Sequence, residues 1–492
     1  MKKLLFTFVL FTTLLTLSAE MVRPSGGGTS DDPFIMESFD NLHWLFENSS
    51  YWDNNATFLQ INDIQIPAEF YDGLYRDRSI GEQTAPFTGV YDGNNHVISG
   101  FTYTDFNDNF VGLFGSVTGS TISNLGVINA DIIGSSRVGV LCGHLVNSSV
   151  ENCYAQGVVV GDWFLDEGHN SSPYYYDGDR IGGLIGSALS STISSCFADV
   201  TVSGADYCGG LIGEVYASTI TQSYSASEVS GCSDIGGLLG KCSGNTQVSN
   251  CYVNGNVNYI PYLWDYKGGG IVGTSMDSDF SYCYLNVIDE DKYHSRYDIG
   301  LFAYSVQSST TSNLIFNSDQ IENRDLSVIS WSWTSSDIVY ASTNAMKSIT
   351  TYTDNGWDFQ GETANGTEDL WTINSVFNDG FPYLTVLESL VPNAEETNPQ
   401  LVNKSTLYNA YPNPFNPDTT IKFDVAMNDN ATVHIFNVKG QLIKTYPAFA
   451  EGEHEVHWLG KDNNQKYCPS GVYFYRLVTK NTSETKKMIL MK

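Results

Sequence analysis

Basic residues are scarce: 24 Lys and Arg stand against 55 Asp and Glu in 492 residues, a formal net charge of −31. A chain this acidic repels phosphate, which argues against a nucleic-acid partner. Long apolar runs are also rare. One fills residues 4–15 behind Lys2 and Lys3, is interrupted by Thr12 and Thr13, and falls short of the ~20 residues a spanning helix needs. With Ser18 and Ala19 offering a small-residue cleavage site, it reads as a signal peptide over 1–19, and the mature chain is expected to have no transmembrane segment. Motifs of common chemistry are missing too. No cysteine pair has the C-x-x-C spacing of a zinc site, and no G-x-S-x-G elbow marks a serine hydrolase. His454-Glu455-Val456-His457 is one residue short of a zinc-protease helix, and in a β-patterned stretch its two histidines face opposite ways.

What is present is a repeat. Ile181-Gly182-Gly183-Leu184-Ile185-Gly186 returns as variants ending at Gly115, Gly143, Gly213, Gly240 and Gly273, with a degenerate copy ending at Ala303. Successive copies are 28, 43, 27, 27, 33 and 30 residues apart, a period that belongs to solenoids or arrays. Ten or eleven residues after each last glycine comes a second column: Leu125, Cys153, Cys196, Ser223, Cys251 and Cys283. Alternation from there, with Cys196, Ala198, Val200 and Val202 on one side, is the period-two signature of a half-buried strand. Ile193 and Cys196 are an odd number apart, so a corner must lie between them for both to point inward. The expected fold is all-β, a parallel β-helix or solenoid of about seven coils with capping segments, followed by a small Ig-like β-sandwich. A propeller ranks second, because its blades need about 40 residues and four strands each.

Each coil is expected to run as a glycine-led strand, a short strand, a corner and a third strand. A tight bend at Gly182-Gly183 would bury both Leu184 and Ile185; otherwise one apolar column lies outside. Nine cysteines is an odd number for an exported chain. In-register parallel stacking holds Cβ atoms slightly too far apart for a disulfide, so the column is expected to hold buried thiols. The spacing of Phe39, Leu42, Leu45 and Phe46 predicts a short helix that covers the first coil.

The G-G-L-I-G and S-T-I-S-S-C-F units, the latter at 191–197, resemble the GLUG repeat of bacterial extracellular proteins. That resemblance, over roughly 34–384 and with the strand-turn-strand pattern at 87–100, implies a stacked β-helical domain of surface proteins, some of them adhesins and some peptidases. Domain boundaries follow: a cap and lead-in over 20–100, the solenoid over 101–303, a C-terminal cap over 304–384 and a linker over 385–405. From 406 to 492, Tyr411-Pro412-Asn413-Pro414-Phe415, Ser470-Gly471-Val472-Tyr473-Phe474-Tyr475 and Lys486-Lys487 are similar to the C-terminal sorting domain of the type IX secretion pathway. This implies the type IX secretion machinery as a partner and a chain secreted or attached to the outer cell surface. Leu459 and Cys468 depart from that pattern.

Two insertions rich in aromatics precede the glycine strand, at 161–180 with Trp163, Tyr174 and Tyr175, and at 259–267 with Tyr262 and Trp264. If the cysteine column faces in, Tyr154, Phe197, Tyr224, Tyr252 and Tyr284 form an outward ladder of rings. Stacked rings stabilise a sheet by packing. Alternatively, Tyr224, Tyr252 and the insertion rings make a platform for an extended glycan or another surface polymer. The recurrent Asp before the glycine strand, including Asp179, Asp206 and Asp234, either fits turns or forms a ridge that binds Ca2+ weakly. The functional expectation is a surface binding or adhesion protein; the alternatives are a polysaccharide-degrading β-helix enzyme, for which no carboxylate pair stands out, and a purely structural surface-layer protein.

Overall fold

The computed structural model describes residues 21–52, 56–67, 78–105, 107–161, 179–259, 268–286, 300–320, 329–330, 334–374, 377–389, 406–408, 415, 418–425, 430–437, 441–450, 452–463, 466–479 and 483–490. The chain divides into two compact units, Met1–Leu390 and Val391–Lys492.

The first unit is a parallel β-solenoid. One coil runs through four short strands, Asp179–Gly182, Ile185–Leu189, Thr192–Ser194 and Phe197–Ser203. Each pairs in parallel with its counterpart in the next coil, as Ile185 with Ile212, Ile193 with Ile220 and Phe197 with Tyr224. The chain bends between Gly182 and Ile185, so Leu184 and Ile185 are both fully buried, together with Ile181, Ile193 and Val202. Fully burying such a side chain is worth roughly 1.5–3 kcal/mol, and every coil repeats the set. The 162–178 insertion leaves the register intact: Ile181 still pairs with Val138 and Ile185 with Cys142.

Three left-handed residues turn each coil. In the coil above they are Arg180, Ser190 and Ser195, and in the next Tyr207, Ala217 and Gln222. Side-chain donors satisfy the carbonyls these corners leave behind. Ser191 and Ser218 each donate to the carbonyl two residues back, at 2.8 Å, and Ser218 Oγ accepts from the Ser191 amide. The cysteine column works the same way: Cys153 and Cys196 place Sγ 3.2 and 3.1 Å from the carbonyls of Glu151 and Ser194, and Ser223 does so at 2.8 Å. Serine therefore replaces cysteine at 223 because both are small donors. All nine cysteines are free thiols, and burial pushes those of Cys196 and Cys242 up to about 12.

The coiling starts earlier and ends later than the glycine repeats. Phe34–Met36, Thr57–Gln60 and Val90–Ser99 are parallel rungs ahead of Thr121–Gly134. The helix Phe39–Glu47 packs Leu42, Leu45 and Phe46 into the same core; extended Ser38 starts it, and Asp40 suits its positive end. The segment expected to cap the far end splits in two. Thr310–Asn317 and Thr334–Ala341 add rungs, whereas 343–387, with Trp357, Phe359, Trp371, Phe381 and Leu384, packs sideways against the outside of the solenoid.

The second unit is a sandwich of two antiparallel sheets. Thr406–Leu407, Thr419–Val425 and Gly452–Trp458 form one; Leu442–Phe449, Ala431–Asn437, Gly471–Val478 and Ser483–Leu490 form the other. Ile421, Phe423, Ile435, Trp458, Tyr475 and Leu490 fill the space between. Phe415 is buried there, bridged to Leu490 and 5.4 Å from the Trp458 ring; Tyr411, Pro412, Asn413 and Pro414 lie outside the described residues. His454 and His457 sit on one strand, His454 against Phe423 and Phe449, His457 3.3 Å from Glu455.

Candidate functional site

The ladder of rings forms. Tyr154, Phe197, Tyr224, Tyr252 and Tyr284 stack with centroids 4.8, 4.9, 4.5 and 4.9 Å apart and planes within 9° of parallel. It is roofed, however. Tyr252 is 3% and Tyr284 0% exposed beneath Trp371, Trp357 and Tyr352; the Tyr284 hydroxyl donates to the Pro382 carbonyl at 2.6 Å, and Trp371 Nε1 donates to Asn250 Oδ1 at 3.2 Å. Tyr252 thus faces a packed interior, and Tyr224 is half-buried beside it. Trp163, Tyr174, Tyr175, Tyr262 and Trp264 lie outside the described residues.

The acidic ridge is broken as well. Asp179 and Asp206 are register partners, but the next residue in that row is Ser233. Asp234 falls one position later, in line with Tyr207 and Arg180, where it accepts from Thr274 Oγ1 and from Ser233 Oγ. Among the described residues no three His, Cys, Asp or Glu side chains converge as a metal site.

A row of side chains not anticipated from the sequence runs along the first corner. In register across five coils stand Phe110, Arg137, Arg180, Tyr207 and Asp234, all with positive φ of 48–69°. The equivalent residues at the second corner, Asn147, Ser190, Ala217 and Asp277, are small. Bulky side chains in this backbone region cost of order 1–3 kcal/mol each, and such strain gathers at functional sites. The last glycine of each repeat makes room for the row: a Cβ on Gly213 would lie 2.5 Å from the Arg180 carbonyl carbon, and one on Gly186 2.4 Å from that of Arg137. A parallel row begins one residue after that glycine, with His144, Ser187, Glu214, Lys241 and Thr274.

The two rows interlock. The Arg137 guanidinium lies 5.0 Å over the Phe110 ring; Arg180 and Lys241 lie 5.6 and 4.6 Å over Tyr207. Glu214 pairs with Arg180 at 2.6 Å and with Lys241 at 3.5 Å, and these three side chains are only 21–24% exposed. At the head of the rows a cleft of about 510 Å³ is lined by Arg78, Glu82, Tyr103, Asp108 and Phe110. His144 Nδ1 and Ser187 Oγ are 2.6 Å apart, a nucleophile-to-base distance, but no carboxylate hydrogen-bonds the imidazole among the described residues. Burial, then the fields of Arg137 and Arg180, hold that imidazole down at about 4, too weak a base for neutral pH.

That depression has a sign for stability. The unfolded chain takes up a proton on His144 near pH 6.5, whereas the folded chain resists until about 4, so stability falls as pH drops through that window. His144→Gln is expected to lose about 1–2 kcal/mol less than the parent between pH 7 and pH 4 in urea titrations, after allowance for solvent screening. Identical losses would show that the imidazole is not held neutral.

Comparison with known proteins decides where the chain goes. A family model described as the secretion system C-terminal sorting domain matches residues 409–491, and the GLUG motif matches 134–160. The chain carries a type IX sorting domain. That domain indicates secretion and attachment at the cell surface, and no helix among the described residues is long and apolar enough to cross a membrane. Halomucin of Haloquadratum walsbyi is 32% identical over 120 residues, which are 24% of this chain and 1% of halomucin. The structure of dimeric latent PorU from Porphyromonas gingivalis shares 20% identity over 18% of this chain and 9% of its own, at a TM-score of 0.16. An IgA1 protease structure shares 16% identity over 62% of this chain and 22% of its own, at a TM-score of 0.32. Deleting 406–492 is expected to leave the solenoid folded and to abolish its appearance on the outer surface, read by protease accessibility on whole cells; normal display of the truncated chain would contradict the sorting role.

Proposed function

We propose that the protein is a surface-held binding or adhesion protein whose solenoid grips an extended glycan along its coils. The observation that carries this reading is the paired row at the first corner, where rings, hydroxyls and charged groups recur in register at about 4.8 Å, the spacing of adjacent strands. A linear polymer lying along the solenoid would meet one side chain of each row in every coil. Sugars stack on rings and exchange hydrogen bonds with side chains such as Ser187 and Glu214.

The two aromatic insertions leave and rejoin the chain directly before Asp179–Gly182 and Gly268–Gly269, strands of this same corner. Trp163, Tyr174, Tyr175, Tyr262 and Trp264 therefore belong to this reading by connectivity, and calcium bridging Asp179 to Asp206 remains a subsidiary proposal tested by melting with and without chelator. Tyr224, half-buried between Phe197 and Tyr252 at the middle of the ladder, enters this reading only as a subsidiary contact.

The test is a glycan array probed with the full chain, followed by product analysis on every glycan retained. Binding without turnover is the expected result. Turnover would make the protein a polysaccharide-degrading enzyme, and the absence of any binding would leave a structural role in a surface layer.

A further inference from the structure

We infer that the corner row recognises carboxylate groups, so that the glycan is an acidic one built from uronic or similar acid sugars. This rests on the glycan reading and narrows it to a chemical class. Between residues 101 and 266 the chain has three Lys or Arg residues, Arg137, Arg180 and Lys241, and all three stand on this one corner. Chance does not place every cation of such an acidic stretch along a single line. Two of the three, Arg137 and Arg180, take left-handed φ of 56° and 69° at this corner.

The fixed geometry suits anion capture. Glu214 pairs with Arg180 and Lys241 at 2.6 and 3.5 Å, and both cations also lie over the Tyr207 ring, at 5.6 and 4.6 Å. Arg137 lies over the Phe110 ring in the same way. Side chains steadied like this lose little further freedom when a ligand docks, and a guanidinium fork matches a carboxylate with two parallel hydrogen bonds. On this corner the three cations stand among Glu214, Asp234, Asp179 and Asp206, so positive charge is concentrated at the guanidinium and ammonium groups themselves rather than spread over the face. Burial first, and then the charges of Arg137 and Arg180, lower the affinity of the nearby His144 imidazole for a proton, which places both guanidinium groups close to it. A repulsive surround also sharpens selection, because a polyanion is admitted only along the line where the cations lie.

The experiment compares matched polymers on the full chain: polygalacturonate, alginate and hyaluronan, each beside its carboxyl-esterified, uncharged form, by affinity electrophoresis and calorimetry. At least one acidic polymer is expected to bind, its esterified form tenfold or more weakly, with affinity falling as salt rises. Arg137→Gln combined with Arg180→Gln is expected to lower acidic-polymer affinity tenfold or more, whereas Arg137→Lys alone retains most of it; a melting curve on each variant reports folding. If the double variant does not fold, Lys241→Gln, which leaves the Arg180–Glu214 pair in place, must weaken binding at least threefold. Equal binding of esterified and acidic forms, or binding indifferent to these substitutions, overturns the carboxylate assignment and leaves the glycan reading standing. Failure of every polymer, charged and neutral, removes both.

Discussion

Gly213→Ala is expected to destabilise the solenoid by about 3 kcal/mol or more, at the upper end of what overpacking costs. The added Cβ would sit 2.5 Å from the Arg180 carbonyl carbon, 2.6 Å from the Gly186 oxygen and 2.6 Å from the Ile181 nitrogen. All three are backbone atoms of the preceding coil, so no side chain can swing aside, and two rungs must separate. The damage reaches the corner row, since Arg180 is one of the residues pushed. Urea unfolding of the first unit should show a large drop in midpoint, with acidic-polymer binding lost in parallel. Tyr216→Ala, three residues away and 51% exposed, is the control and should stay within about 0.5 kcal/mol. Equal midpoints for Gly213→Ala and the parent would mean that the coils do not pack as closely as described.

Trp371→Ala carries the second large effect, about 3–5 kcal/mol for a fully buried indole. Its ring lies 6.0 Å from both Tyr252 and Tyr284 and 4.9 Å from Trp357, and its Nε1 donates to Asn250. Removing it opens a cavity between the lateral segment and the ladder. The segment should detach before the coils unwind, because the coils keep their own rungs and inner columns. Limited proteolysis should then cut within 343–387 while the fragment below it survives. Loss of the whole solenoid in one step would show that roof and coils form a single cooperative body.

The glycine and cysteine columns made the coil legible, because each marks a local geometric need that recurs with the period: room for a neighbouring backbone at Gly186 and Gly213, and a small donor beside a corner carbonyl at Cys196 and Ser223. The ring ladder was legible for the same reason. Its roof was not. Trp357 and Trp371 lie far along the chain in an aperiodic stretch, and nothing local says which face they cover. The corner row escaped notice because its members differ in kind, Phe, Arg, Arg, Tyr and Asp, and so present no column of similar letters. Counting from the last glycine would have exposed it: Arg137, Arg180, Tyr207 and Asp234 each stand six residues before one, and His144, Glu214 and Lys241 one after. The same count explains why Asp234 does not continue the line of Asp179 and Asp206, which stand seven before.

The free thiols bear on how the molecule yields under tension. A protein attached at a cell surface is pulled when the surface moves against whatever the chain touches. No covalent bridge joins one coil to the next, since Cys153, Cys196, Cys251 and Cys283 stack as separate thiols. Each coil leans only on its neighbours, so load peels the stack in steps. A 27-residue coil releases roughly 90 Å of slack at about 3.4 Å per extended residue. With no bond broken, the slack is expected to rewind when tension falls, so that repeated force-extension cycles on the first unit retrace one another.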